Sequence, residues 1–235
     1  MVHASNKPAS SELLRWGLKT LAQLIFFGLL LFLVAGRLDW RGGWSFLALG
    51  AATQILSAVL FLPHHADLIA ERSKMQANTK PWDRILAPLV AMIGPLAWVL
   101  TASLDARFHW SGPVPTALWI AAFLVGFGAS LFTLWAMMTN RFFAATVRIQ
   151  DDRGQTVVKG GPYRIVRHPG YLGSVVFDLV VPLVLGSWWA YFPAVLTVIL
   201  TFVRTALEDR TLQAELPGYA QFAKETRFRL IPGIW

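Results

Sequence analysis

No cysteine occurs anywhere in the 235 residues, which excludes disulfides, thiolate nucleophiles and cysteine-ligated metal sites. Charge is scarce too: Asp, Glu, Lys and Arg together make up 14% of the chain, far below an ordinary soluble domain. Nucleotide-binding signatures are missing. GFGAS at 126–130 lies inside an apolar run with no strand before it, so it is not a dinucleotide loop, and neither a Walker loop nor a serine–histidine triad arrangement occurs. His64 and His65 are adjacent, a poor chelating geometry, and no Asp or Glu cluster completes a ligand set, so no metal is expected. There is no internal repeat or low-complexity tract.

What is abundant is apolar surface. Hydrophobic residues make up 55% of the chain and tryptophan occurs 11 times, which implies an integral membrane protein. A bilayer core of roughly 30 Å takes about 20 helical residues, and apolar segments run near 20–36, 44–62, 85–104, 115–138, 171–186 and 188–206. The expected fold is an all-α polytopic membrane bundle of about six helices. Only SWW, 187–189, separates the last two, so they form a tight helical hairpin over 171–206, either spanning fully or dipping in. The first segment could be read as a cleavable signal peptide; the further spans directly behind it favour a retained anchor.

With six crossings, every lysine and arginine except Arg37, Arg41 and Arg107 falls on the termini and the second and fourth connections. The positive-inside rule then places both termini and the polar connections in the cytoplasm, in the inner membrane if the protein is bacterial. The formal net charge of +8 follows this topology and suits anionic headgroups, with no need of nucleic acid.

Three regions follow: a polar cytoplasmic N-terminus at 1–19, four membrane helices over 20–138, and a third region at 139–235 made of a polar loop, the helical hairpin and a cytoplasmic tail. The outer connections are short and rich in Trp, Gly and Pro. The inner ones carry the polar chemistry: 63–84 is expected to include an interfacial helix, and 139–170 a small β-hairpin turning at Asp152 to Gly154 between β-branched residues. In the fourth span Ala122, Gly126 and Ser130 form a small face suited to close packing.

The stretch GPYRIVRHPGYLG, 161–173, sets arginines and a histidine at the threshold of the fifth span. Pro169 disfavours helix at His168 and holds an imidazole, which can donate or accept near neutral pH, at the membrane edge. Beyond the last span Arg204, Glu208, Leu212 and Glu215 recur at helical spacing, compatible with an Arg204–Glu208 surface pair or with a carboxylate site. Asp178 interrupts VVFDLVV about two turns below Tyr171, where a charge costs about 2.5 to 3.5 kcal/mol. Counting from the hairpin apex, its neighbours should be Thr197 and Thr201, so a structural hydrogen bond there competes with a functional role.

Together, GPYRIVRHPGYLG and the tail LEDRTLQAELPGYAQFAKETRFRLIPGIW resemble the isoprenylcysteine carboxyl methyltransferase family of integral membrane enzymes, in particular its bacterial branch. The likeness begins weakly at ADLIAERSKMQANTKPWDR, strengthens at NRFFAATVRIQ and continues to Trp235. The resemblance implies methyl transfer from S-adenosyl-L-methionine, in a pocket roofed by the tail, to a lipophilic acceptor arriving from the bilayer. It implies cofactor-side residues at Arg167, His168, Pro169, Tyr171 and Gly173, and in the tail at Glu208, Tyr219, Arg227 or Arg229, Ile231 and Pro232. Two positions depart from the family: the second acid of its Glu-Glu pair is Asp209, and a second tail tyrosine is Phe222, which lacks the hydroxyl.

On this reading Arg167, His168, Glu208 and Asp178 are the candidate catalytic residues. An ionised carboxylate acceptor needs no general base, so alignment and dehydration suffice. A thiol or phospholipid amine would need a proton acceptor, for which His168 or Asp178 is available. The expected partners are a lipophilic or prenylated substrate and membrane lipids. NADPH-dependent sterol reductases with a related fold also carry RHPxY, but theirs reads RHPNY where Gly170 stands here. A non-catalytic scaffold or transporter predicts indifference to S-adenosyl-L-methionine.

Overall fold

The computed structural model describes residues 10–61, 68, 71, 72, 76 and 78–235, with side chains from Gly17 onward. Residues 1–9, His64, His65 and most of the expected interfacial helix lie outside the described residues. Seven α-helices are used below: α1 (Ser10–Ala35), α2 (Arg41–Phe61), α3 (Asp83–Phe108), α4 (Thr116–Thr139), α5 (Pro169–Leu185), α6 (Tyr191–Glu215) and α7 (Tyr219–Glu225). No strand occurs among the described residues. The fold is a polytopic helical bundle.

Five helices, α1 from Gly17, α2, α3, α4 and α6, are long and apolar enough to cross a membrane. At 17 residues, α5 reaches only about 25 Å at 1.5 Å per residue. Large apolar side chains such as Leu33, 71% exposed, and Phe192, 80% exposed, point outward from the bundle, as a lipid-facing surface requires. The interior is a cluster of Leu31, Trp98, Val99, Ala102, Val181, Leu185, Ala190 and Ala194. The small face of α4 lets α5 and α2 approach: a Cβ on Gly126 would stand 3.3 Å from Val180 and 3.4 Å from Leu49.

Proline shapes α3. Pro88 and Pro95 offer no N–H to the carbonyls one turn back, and between them the helix widens into a π-helical stretch, Leu89–Ile93. Gly94 follows, where a Cβ would meet Thr197 of α6 at 2.3 Å. The two helices therefore touch where one is locally unwound.

The short connections meet at one end of the bundle. Ser111 and Ser187 both donate to the buried carboxylate of Asp105, Trp40 Nε1 donates to the Leu185 carbonyl and Trp119 Nε1 to that of Val184. α5 ends in a left-handed Gly186 with φ 78°, whose N–H donates to the Leu183 carbonyl while that of Ser187 reaches Pro182, a Schellman-type stop. The long connections and the tail gather at the opposite end.

The expected β-hairpin is not there. Asp151–Arg153 is a single 3-10 turn, and the backbone N–H of Gln150 donates to the side chain of Gln155 rather than to a strand partner. The buried Gln150 amide donates in turn to the Phe142 carbonyl. Side-chain hydrogen bonds replace a ladder, so a turn flanked by β-branched residues does not make a hairpin here.

Candidate active site

The 161–173 stretch folds into a 3-10 turn at Gly161–Arg164 and then enters α5 with Pro169 at its first position and His168 just outside it. Pro at N1 costs the helix no hydrogen bond. Just before α5 the chain pairs with the tail: the N–H of Arg167 donates to the Phe228 carbonyl at 2.9 Å and that of His168 to Arg229 at 3.0 Å. The tail then curls so that the Trp235 carbonyl accepts from the N–H groups of Arg229, Leu230 and Ile231.

Asp209 fastens this junction. It is fully buried and accepts from Arg167 Nε at 2.7 Å and Nη2 at 3.0 Å, Arg229 Nε at 2.8 Å, Gln213 Nε2 at 2.8 Å and the Tyr219 hydroxyl at 3.1 Å, with His168 Nε2 3.3 Å away. The remaining nitrogen of Arg167 donates to the carbonyls of Thr226 and Arg227. A buried carboxylate is tolerable with this many charged donors. Burial pushes the Tyr219 phenol above its ordinary range, with the Asp209 and Glu208 charges adding to the effect.

A second buried pair supports the site from below. Arg204 grips Asp83 at 2.7 and 3.0 Å and donates to the Ala145 carbonyl, while the Val147 N–H donates to the same carboxylate. Arg204 thus turns away from Glu208, and its guanidinium lies 5.2 Å over the Tyr171 ring. Glu208 instead accepts from the Tyr171 hydroxyl at 2.5 Å, and Glu215 binds Lys80 at 2.7 Å. The surface-pair reading of that stripe is therefore replaced by three separate tertiary contacts.

These elements enclose a cavity of about 420 Å³, within the usual size of small-molecule sites. Arg167, His168, Tyr171, Gly173, Asp178, Glu208 and Tyr219 all line it. The rings of His168 and Tyr171 stack 5.9 Å apart. Gly173 serves by closeness: a Cβ there would lie 2.1 Å from Thr133 Oγ1 and 2.9 Å from the Ala129 carbonyl.

Five predicted positions do not line the cavity. Ile231 and Pro232 lie in the curled end of the tail, where the Ile231 N–H donates to the Trp235 carbonyl. Pro169 is buried as the helix start, and Arg229 acts through Asp209. The side chain of Arg227 is exposed and its carbonyl alone engages the site. Phe222, where the family has a hydroxyl, is 2% exposed, meets Tyr219 edge-on at 5.5 Å and packs with Ala136, Tyr163 and Leu216. The phenyl ring suits that apolar environment.

Sequence reasoning missed three contributors. Asp209 stood out only as a departure from a pattern, and Asp83 was not singled out at all. Arg72 was counted among the topology-setting charges, yet it lines the cavity beside Phe143, 5.1 Å from its ring, with no carboxylate partner among the described residues. Its neighbour Glu71 is held by Arg148 at 2.9 Å, which anchors the segment. Burial and the nearby Arg204 charge depress the Arg72 guanidinium below its ordinary value. Among the described residues no group of three or more His, Asp or Glu side chains converges to hold a metal.

Fold and site together define a polytopic helical membrane protein with an internal cavity closed at one end by a loop motif and a C-terminal tail. Residues 120–214 match the family model of the isoprenylcysteine carboxyl methyltransferase (ICMT) family, a likeness confined to that part of the chain. The match covers most of α4 through nearly all of α6, part of the cavity's frame; α3 and α7 line it as well. The chain is also similar to the cobalt-zinc-cadmium resistance protein CzcN of Cupriavidus metallidurans, with 28% identity over 142 residues, 56% of this chain and 57% of that protein. The similarity thus spans little more than half of either chain.

Proposed function

We propose that this protein is a membrane methyltransferase that uses S-adenosyl-L-methionine and acts on a lipophilic acceptor, in the first place the C-terminal carboxylate of a prenylated cysteine or a similar lipidic group. One observation carries the reading: the 420 Å³ cavity has a wall formed jointly by the 167–173 motif and by Tyr219 and Phe222 of the tail, next to residues of the bundle interior. The donor set suits the cofactor. Glu208 spends one oxygen on Tyr171, and among the described residues no hydrogen bond takes the other, leaving an acceptor for ribose hydroxyls or an ammonium. Arg72, which has no carboxylate partner among the described residues and donates to the Ala144 carbonyl, offers a cation for a carboxylate.

When bound, S-adenosyl-L-methionine would supply an activated methyl on a sulfonium. The protein's part is placement. Glu208 and the stacked His168–Tyr171 pair orient the donor at one end, Arg167 holds the tail shut through Asp209, and the apolar lining excludes water from an in-line displacement. Both termini and the motif end of the cavity face the cytoplasm on this reading, by the distribution of basic residues.

Calorimetric titration with S-adenosylhomocysteine tests the cofactor. Saturable binding that Glu208→Ala abolishes while the fold is kept is the expected result; no binding by the wild type would overturn the reading. Labelled methyl donor, offered with prenyl-cysteines, thiols and phospholipids in membranes, then identifies the acceptor by which fraction takes up label.

A further inference from the structure

The cavity has a second polar end that the tail network does not reach. Asp178 lies on α5 seven residues past Tyr171, about 10 Å deeper at 1.5 Å per residue. It is 7% exposed and lines the cavity. Thr197 and Thr201, its expected partners across the hairpin, donate instead to the carbonyls of Pro193 and Thr197 on their own helix. Three hydroxyls on α4 and α5 that line the cavity are equally committed: Ser130 to Gly126, Thr133 to Ala129 and Ser174 to Gly170.

No donor among the described residues therefore reaches the Asp178 carboxylate. Nor is that carboxylate sealed in. Trp98 Nε1 is the one fully enclosed side-chain polar atom without a partner among the described residues, so the Asp178 oxygens, equally unpartnered, border open cavity space. An acid at membrane depth is costly unless something pairs with it, and a plain prenyl chain carries nothing that could. Trp98 and Phe177 line the same cavity. A carboxylate with aromatic walls is the chemistry that recognises an alkylammonium.

We infer that the deep end of the cavity is a recognition site for a basic nitrogen carried by the acceptor, with Asp178 as its counter-ion. The substrate class is then a lipophilic amine whose nitrogen lies roughly 10 Å along the α5 axis from the group facing Tyr171 and Glu208. At that separation Asp178 is beyond hydrogen-bond reach of the reacting atoms, so it is a positioning residue that selects the acceptor. This inference rests on reading the Tyr171–Glu208 end as the cofactor end.

The test compares dodecylamine with dodecanol as probes of the purified protein in nanodiscs of zwitterionic lipid. Wild type is expected to bind the amine saturably and roughly tenfold more tightly than the alcohol. Asp178→Asn, isosteric and breaking no contact, should erase that preference and leave S-adenosylhomocysteine binding unchanged; Asp178→Glu should restore part of it. Equal binding of the two probes by wild type, or an amine preference that survives Asp178→Asn, overturns the inference. Loss of S-adenosylhomocysteine binding in Asp178→Asn also overturns it, since Asp178 would then belong to the cofactor end. Failure of wild type to bind S-adenosylhomocysteine at all sinks the methyltransferase reading instead, and the amine comparison still reports on Asp178.

Discussion

The guanidinium of Arg167 and the carboxylate of Asp209 form a two-pronged pair at 2.7 and 3.0 Å, with Asp209 fully buried. The arginine precedes α5 and the aspartate sits in α6, so one contact ties the loop motif to the last long helix, and through the Thr226 and Arg227 carbonyls to the tail. Asp209→Ala leaves two arginines facing each other with no counter-charge, and breaking a buried pair this way costs about 3 to 5 kcal/mol. Hydrogen exchange should rise sharply over 216–235 while α1 and α2 keep their protection. S-adenosylhomocysteine affinity should fall with it.

Asp83 and Arg204 form the corresponding pair beneath the cavity. Replacing either alone strands the other, with an expected loss of about 3 to 5 kcal/mol, read as a lower melting temperature in detergent. A double variant with apolar residues of similar volume should recover much of that loss, because desolvation nearly cancels the attraction in such pairs.

Gly173→Ala should be destabilising by about 1 to 3 kcal/mol, since the added methyl collides with Thr133 Oγ1 and with the Ala129 backbone carbonyl. Thr133→Ala in the same chain removes only the side-chain part of the clash. A partial rescue in thermal melting is therefore expected, and full rescue would contradict the backbone contact.

Alkaline pH provides a separate check. Burial raises the phenols of Tyr163 and Tyr219 above their ordinary value near 10. Above that pH the unfolded chain loses protons that the folded protein keeps, so stability falls as pH rises; below it the contribution is complete. Absorbance titration at ~295 nm should show Tyr163 and Tyr219 among the tyrosines that ionise only on unfolding. Tyr163→Phe should flatten the loss of stability.

The absence of cysteine makes sidedness directly measurable. Gly112→Cys and Gln221→Cys place a single thiol at exposed positions at opposite ends of the bundle. In intact cells an impermeant maleimide should label the first and spare the second. The reverse pattern would invert the proposed topology.

By itself the sequence determined the class and the layout: apolar runs of membrane length, the short Trp- and Gly-rich turns, the hairpin around residues 187–189 and a motif at the membrane edge. These are legible because spanning a bilayer dictates composition residue by residue. Likeness to a known family added Arg167, His168, Tyr171, Gly173, Glu208 and Tyr219, which line one cavity, and Pro169, Arg227, Arg229, Ile231 and Pro232, which do not. Only the tertiary structure decided how charge is paired. Arg204 lies one helical turn from Glu208 yet binds Asp83, 121 residues away, and Glu208 turns to Tyr171. Asp178 keeps no partner among the described residues because nearby hydroxyls are taken by their own helices. Ion pairing and hydrogen bonding depend on which side chains three-dimensional packing brings within about 3 Å, and spacing along one helix says nothing about donors arriving from another.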